Sequence, residues 1–465
     1  MSYENGADQK CHQSSRNTCL KPSFSRLNLL FAVSSIAVIF LFSSCAGKDV
    51  TKSGLHKKDF QTEINGKKND LYVMTNKNGM EVCMTNFGAR IVSIYVPDKN
   101  GVFADVVLGF DSIGGYLNNK SDFGAFIGRY GNRINKGKFT LDGVNYQLET
   151  NNFGHCLHGG PKGFQYQMFD IRQINDHSLE VSYVSKDGEM GFPGTLKAKA
   201  IYTLTDDNAI DISYEATTDK PTIINLTNHS YFNLTGNPEN TILDHMLAID
   251  ADGFTPIDST FMTTGEITPV CCTPMDFRQP TKIGTRITDY SYLQLKNGNG
   301  YDHNWVFRSN RDQSKPAVLL LDSVSGRTLE VYTNEPGVQV YTGNFLDGTL
   351  KGKKGIVYKQ RTAICFESQH YPDSPNKPAW PSVVLRPGQT YKSHCVYKFG
   401  VMKDGVAKQL KAWTAANGCC NDSLKACCCK NGAKASCCKD GMKAGCCKDK
   451  TAACKDKNCC KAAQK

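Results

Sequence analysis

Ile223-Ile224-Asn225-Leu226-Thr227-Asn228-His229-Ser230-Tyr231-Phe232-Asn233-Leu234 reads with a period of two. Ile224, Leu226, Phe232 and Leu234 fall on one side, with Asn228 and Ser230. Asn225, Thr227, His229, Tyr231 and Asn233 fall on the other. Such a strand sends one face into a core and lines a polar cleft with the other. A histidine facing that cleft is a candidate proton donor, its ordinary pKa being about 6.5. The same pattern also suits a hydrogen-bonded structural histidine.

Outward from this stretch the chain stays β-like. Residues 71–74 and 81–84 flank Asn78-Gly79, a hairpin turn signal. Further strands are expected at 91–96, 106–110, 179–184, 198–204, 210–216, 318–321, 329–332 and 338–341, with turn residues between them. No long stretch carries helical periodicity, and the body shows no repeat of 20 to 50 residues. The expected fold is all-β, an antiparallel sandwich or barrel.

Charge and cysteine separate the body from its ends. The 465 residues carry a formal charge of +11. From Asn417 onward, 11 Lys against 4 Asp put +7 into the last stretch, so the body shows no nucleic-acid footprint. Twelve of the 21 cysteines lie between Cys419 and Cys460, where Cys pairs recur at 419, 428, 437 and 446. With few large apolar side chains, this tail cannot bury a core and is expected to be disordered. Its thiols and lysines suit soft metals such as Zn²⁺ or Cu⁺, a compositional likeness to metallothionein. Disulfide cross-linking and an extension without selected function remain open beside that.

At the other end, Arg26 precedes an apolar run over 27–42, short for a membrane span and suited to a signal-peptide core. Phe42-Ser43-Ser44-Cys45 follows and resembles the lipobox of bacterial lipoproteins. That resemblance implies cleavage before Cys45 and lipidation of its sulfur. The protein would then be exported and membrane-anchored, facing the periplasm or cell exterior. A plain secretory signal or an uncleaved anchor is the alternative. The expected organisation is a leader at 1–45, a tether at 46–59, the β-sandwich at 60–400, a linker at 401–418 and the Cys-rich tail at 419–465.

Four polar constellations punctuate the body. They are Gly128-Arg129-Tyr130-Gly131-Asn132-Arg133-Ile134, Leu157-His158-Gly159-Gly160, Tyr301-Asp302-His303-Asn304-Trp305 and Cys365-Phe366-Glu367-Ser368-Gln369-His370-Tyr371-Pro372-Asp373. With the stretch around His229 and Gly337-Val338-Gln339-Val340-Tyr341-Thr342-Gly343-Asn344, they resemble the aldose 1-epimerases, or galactose mutarotases. The resemblance runs from about Phe60 to Phe399. Gly131 stands where the family often has Ala, and Trp305 where Phe is usual. The resemblance implies a large antiparallel β-sandwich with a carbohydrate cleft in one concave sheet. It implies Glu367 as catalytic base and His229 as acid, with Asn132, Arg133, His158, Asp302 and Gln339 holding the sugar.

The chemistry of anomer exchange asks for such a set. Opening the hemiacetal ring removes a proton from the C1 hydroxyl and delivers one to the ring oxygen, and closure on the other carbonyl face reverses both. An acid and a base on opposite sides of the anomeric centre each contribute about 10²–10⁴-fold. A carboxylate such as Glu367 and an imidazole such as His229 can supply them, and a bell-shaped pH profile with its basic limb set by His229 is expected. Asp302 can accept two vicinal hydroxyls, Arg133 can donate in a fork, and Gln339 and Asn132 can do both. His158 precedes two glycines, which would let backbone approach a ligand. Trp305 is expected in the core rather than against a sugar, and Arg129 in a scaffold ion pair. The body holds no Walker loop, no dinucleotide glycine motif, no His-Glu-x-x-His and no Gly-x-Ser-x-Gly. No metal site in the body and no cofactor are expected. The alternatives are a non-catalytic glycan-binding surface lipoprotein, a hexose-6-phosphate epimerase, or a carrier for a metal-binding tail.

Overall fold

The computed structural model describes residues 49–308, 312–402 and 405–417. Cys45 with its leader and the repeat between Cys419 and Cys460 lie outside the described residues. The described strands pair antiparallel throughout their ladders. A nine-stranded sheet runs Asp170–Asn175, Ser178–Ser185, Leu196–Leu204, Ala209–Thr218, Tyr391–Val401, Arg327–Thr333, Val318–Leu321, Met246–Ile249, Thr281–Lys282. A six-stranded sheet runs Tyr231–Phe232, Ile364–Gln369, Gly337–Tyr341, Asp302–Phe307, Ala251–Thr255, Thr268–Pro269. Four more strands between Leu71 and Asp105 form a third sheet.

Alternation along the six-stranded sheet separates core from cleft. Ile364 and Phe366, Val338 and Val340, and Trp305 join the main core, where Tyr397 and Phe399 of the nine-stranded sheet meet them. Phe232 packs 5.1 Å from the Tyr397 ring, and the Tyr397 hydroxyl donates to the Phe366 carbonyl at 2.8 Å. The alternate residues Glu367, Gln339, Tyr341 and Asp302 are left on the opposite face. Trp305 is fully buried, with Nε1 donating to the Met275 carbonyl at 3.1 Å, a core tryptophan as expected.

Three expectations are corrected. The stretch around His229 is not one strand but three short ones. Thr222–Ile223 pairs with Val384–Leu385, Thr227–His229 with Ala125–Ile127, and Tyr231–Phe232 with Ile364 and Cys365. Asparagine side chains interrupt the ladder by taking backbone partners themselves. Asn225 donates to the Gly131 and His370 carbonyls, and Asn228 accepts from the Ser230 amide and hydroxyl. Parity nevertheless survives: Ile224, Leu226, Phe232 and Leu234 are in the main core.

The expected 401–418 linker contains a helix, Val406–Asn417. Its Trp413 is buried against Ala248, Leu319 and Leu321, donates to the Arg278 carbonyl at 3.1 Å, and is followed by Thr414, which donates to Gln279 at 2.7 Å. Loss of strand alternation there marks a change of element; Leu410 and Trp413, three apart, share one helical face. The expected 46–59 tether is likewise packed from Thr51 onward. Both carboxylate oxygens of Glu81 accept backbone amides, from Lys52 and Ser53, and Leu55 is buried.

Candidate active site

A cavity of about 270 Å³ opens on the exposed face of the six-stranded sheet. Its wall includes Asn132, Arg133, His158, His229, Asp302 and Glu367, brought together from five separate segments. That volume lies below the ~300–1,000 Å³ of drug-sized sites and suits one monosaccharide. A larger open cleft of about 460 Å³ along Ser382 to Lys392 has no carboxylate among the described residues on its wall.

His229 and Glu367 meet at the cavity floor, with Nε2 3.4 Å from Oε1 and both side chains buried. The local fold explains the meeting. Tyr231, two residues after His229, pairs with Cys365, two residues before Glu367. The His229 ring stacks on Tyr231 at 4.9 Å and meets His158 edge-on at 5.2 Å. One Glu367 oxygen, Oε2, is buried with no hydrogen-bond partner among the described residues.

Burial decides the protonation of the pair. It lowers His229 to about 3, and it pushes Glu367 well above the usual carboxylate range, reinforced by Asp302 and Asp122 and opposed by Arg133. Burial thus favours the neutral form of each group, a proton on the carboxyl beside a neutral imidazole. Removing that proton is the basic titration, and adding a second one, to His229, is the acidic titration. The direction of both shifts runs against the expected assignment, in which His229 set the basic limb, because both groups lose hydration on burial.

The remaining residues shape and polarise the wall. His158 Nδ1 accepts the Asn132 amide at 3.1 Å, so the neutral ring keeps its proton on Nε2. Burial also holds His158 well below its ordinary pKa. Asn132 and His158 both adopt left-handed backbone, at φ 65° and 52°, a conformation uncommon for residues with side chains. Arg133 donates through Nε to Asn152 at 3.1 Å and stands over the Phe261 ring at 5.0 Å. Asp302 accepts from Gln339 Nε2 at 2.7 Å. Gln339 itself is not on the cavity wall; it braces Asp302 from the neighbouring strand.

The glycines after His158 serve the scaffold. A side chain at Gly159 would meet the Gly128 carbonyl at 2.1 Å, so the close approach is by backbone, not ligand. Arg129 donates to the Pro193, Gly194 and Ser185 carbonyls rather than forming the expected ion pair. Sequence reasoning put Tyr231 on the face of His229 without a role, and missed Asp122, Asn152, Phe153, Leu157, Tyr341 and Phe345 on the wall. Strand parity could have found Tyr341, which shares a face with Gln339.

Known proteins resemble this chain over most of its length. The family model for aldose 1-epimerase matches residues 70–398. The chain belongs to the aldose 1-epimerase family. It is 44% identical over 322 residues to galactose mutarotase of Bos taurus, covering 69% of this chain and 92% of that one. It is 37% identical over 332 residues to aldose 1-epimerase of Escherichia coli, covering 71% and 94%. The solved aldose epimerase homologue of C. elegans superposes with a TM-score of 0.66 at 33% identity, covering 72% of this chain and 100% of that one. Galactose 1-epimerase of Lactobacillus acidophilus gives 0.65 at 28%, covering 73% and 97%. As an aldose 1-epimerase, the protein is an isomerase that interconverts the anomers of aldoses.

Proposed function

We propose that this aldose 1-epimerase acts on free aldohexoses, galactose and glucose among them, with Glu367 and His229 as its proton-transfer pair. The observation that carries the assignment is the 3.4 Å approach of His229 Nε2 to Glu367 Oε1 at the floor of the cavity. Ring opening starts from the tautomer with Glu367 ionised and His229 protonated. Glu367 takes the O1 proton, the O–H electron pair becomes the second bond of the C1 carbonyl, and the C1–O5 bond breaks onto O5. O5 takes the proton of His229. The pair is then a neutral carboxyl and a neutral imidazole, the same form that burial favours in the open cavity. Rotation about C1–C2 presents the other carbonyl face, and closure returns both protons. One proton shuttles within the pair, and none need be exchanged with solvent.

Asp302 and Asn132 offer acceptors for sugar hydroxyls, while Arg133 and His158 Nε2–H offer donors. Among the described residues Arg133 is the one Lys or Arg on the wall, against the carboxyl groups of Asp122, Asp302 and Glu367. That balance favours uncharged sugars over hexose 6-phosphates. Polarimetry on fresh α-galactose tests the assignment. We expect Glu367→Gln to lose at least about 10²-fold in kcat. A variant as fast as the parent would remove Glu367 from the mechanism. We further propose, from Phe42-Ser43-Ser44-Cys45, export and lipid anchoring through Cys45.

A further inference from the structure

Asp122 is a carboxylate on the cavity wall that the proton-transfer scheme does not use. It precedes Ala125–Ile127 by three residues, and Ala125 is the ladder partner of His229. The strand of His229 therefore has the strand of Glu367 as one neighbour and the strand that Asp122 leads into as the other. Ligating atoms of Asp122, His158 and His229 all lie within 4.8 Å of one another. Asp122 Oδ1 is buried and has no hydrogen-bond partner among the described residues.

Two His and one Asp so close could hold a divalent cation, but the tautomer of His158 argues against it. Its Nδ1 accepts the Asn132 amide, so Nε2 carries hydrogen and has no lone pair to give. The trio instead presents an acceptor, Asp122, beside a donor, His158. That is the complement of a hydroxyl group, which donates and accepts at once.

The position of Asp122 is imposed from behind. The buried Arg90 guanidinium donates to the carbonyls of Ser121 and Phe123, both at 3.0 Å, and to Gln165 at 2.8 Å. One cation thus grips the backbone on either side of Asp122; burial raises the carboxyl's pKa, and the charge of Arg90 opposes that rise. A group held this firmly can discriminate among ligands.

Which hydroxyl it reads follows from the sugar's connectivity. O5 is bonded to C1, which carries O1, and to C5, which carries C6. With O1 at Glu367 and O5 at His229, the substituent beyond His229 is the one on C5. We propose that Asp122 is a specificity residue that accepts a hydrogen bond from the 6-hydroxyl of the aldohexose and excludes anionic groups at C6. This inference rests on the orientation given to the sugar by the proposed roles of Glu367 and His229.

Initial rates of anomer exchange test it, with glucose, 6-deoxyglucose and glucose 6-phosphate as substrates. A hydrogen bond to a charged group contributes about 1.5–3 kcal/mol, so kcat/KM should favour glucose over 6-deoxyglucose by roughly tenfold or more. Glucose 6-phosphate should fall below 6-deoxyglucose. In Asp122→Asn the glucose to 6-deoxyglucose ratio should shrink toward one, and the 6-phosphate should rise relative to 6-deoxyglucose. Two results would overturn the inference while leaving the catalytic roles intact: a parent enzyme indifferent to the 6-hydroxyl, or a variant slowed equally on all three sugars. Should Asp122→Asn not fold, the parent enzyme with 6-amino-6-deoxyglucose decides, since an ammonium at C6 should lower KM below that of glucose. Rejection of that cation along with the phosphate counts against Asp122. Failure to accelerate exchange of any sugar would instead bring down the proposed function, and this inference with it.

Discussion

Glu367 is poised at a cost to the fold. Burial and the charges of Asp302 and Asp122 raise its pKa, so the folded state binds a proton that the unfolded chain releases near pH ~4.3. Stability falls with pH wherever the native state holds more protons, here from about that value up through the raised pKa. Glu367→Gln removes the penalty, and we expect its melting temperature to exceed the parent's by roughly 2 °C or more at pH 8, with the gain vanishing near pH 4. A scanning fluorimetry series across pH reads this directly, and a variant less stable at pH 8 would contradict the protonation assignment. The rate profile follows from the same pair. Activity should hold down toward the acidic His229 titration near 3 and fall at high pH as Glu367 loses the shared proton. A basic limb near pH 6.5 would return that limb to His229. Glu367 and His229 were readable from strand parity and motif order. Asp122 was not: between Ser121 and Phe123, before Gly124, it has the local look of an exposed turn acid. Only the fold brings Arg90 beneath it and His229 beside it.

Strands announced themselves by alternation, and the sandwich was legible for that reason. Where the structure departs from the sequence reading, side chains or a change of element intervene. Asn225 and Asn228 break one apparent strand into separate pieces, each paired with a different partner, so His229 and Tyr231 sit at a junction rather than mid-strand. The glycine after His158 carries a similar lesson, since Gly159 lies at φ +79° against the Gly128 carbonyl. Gly159→Ala should cost stability and also weaken sugar binding by displacing His158, with KM rising more than kcat falls. An unchanged KM would mean that the loop absorbs the methyl elsewhere. The helix Val406–Asn417 was invisible to strand parity, and it belongs to the body. Trp413→Ala should destabilise by about 3 kcal/mol, the usual cost of emptying a buried tryptophan site. Truncation after Phe399 should be worse, since it uncovers Leu319 and Leu321 and shortens the strand Tyr391–Val401. Truncation after Asn417 should leave the melting temperature within about 2 °C of the parent; a large drop there would show that the tail contributes to folding.

The two ends of the chain differ in sequence from the body. On the carboxyl side, most of the net charge and the repeated thiols follow Asn417, the end of the last described helix. On the amino side, the described body is already packed from Thr51 onward, since the amides of Lys52 and Ser53 are bound by Glu81 and Leu55 is buried. These contacts all follow the proposed acylation site and are made by protein groups alone. Cys45→Ala should therefore separate location from catalysis. One acyl chain binds membranes marginally and two or more bind them stably, so a lipidated protein should partition into detergent and the variant into the aqueous phase. Both should exchange galactose anomers with the same kcat per folded molecule. Metabolic labelling with an alkyne fatty acid tells acylation from a retained apolar leader: label absent from the parent, or present in Cys45→Ala, would rule out Cys45 as the anchor. Should Cys45→Ala stay in the detergent phase without label, the apolar run over 27–42 would be the anchor in its place.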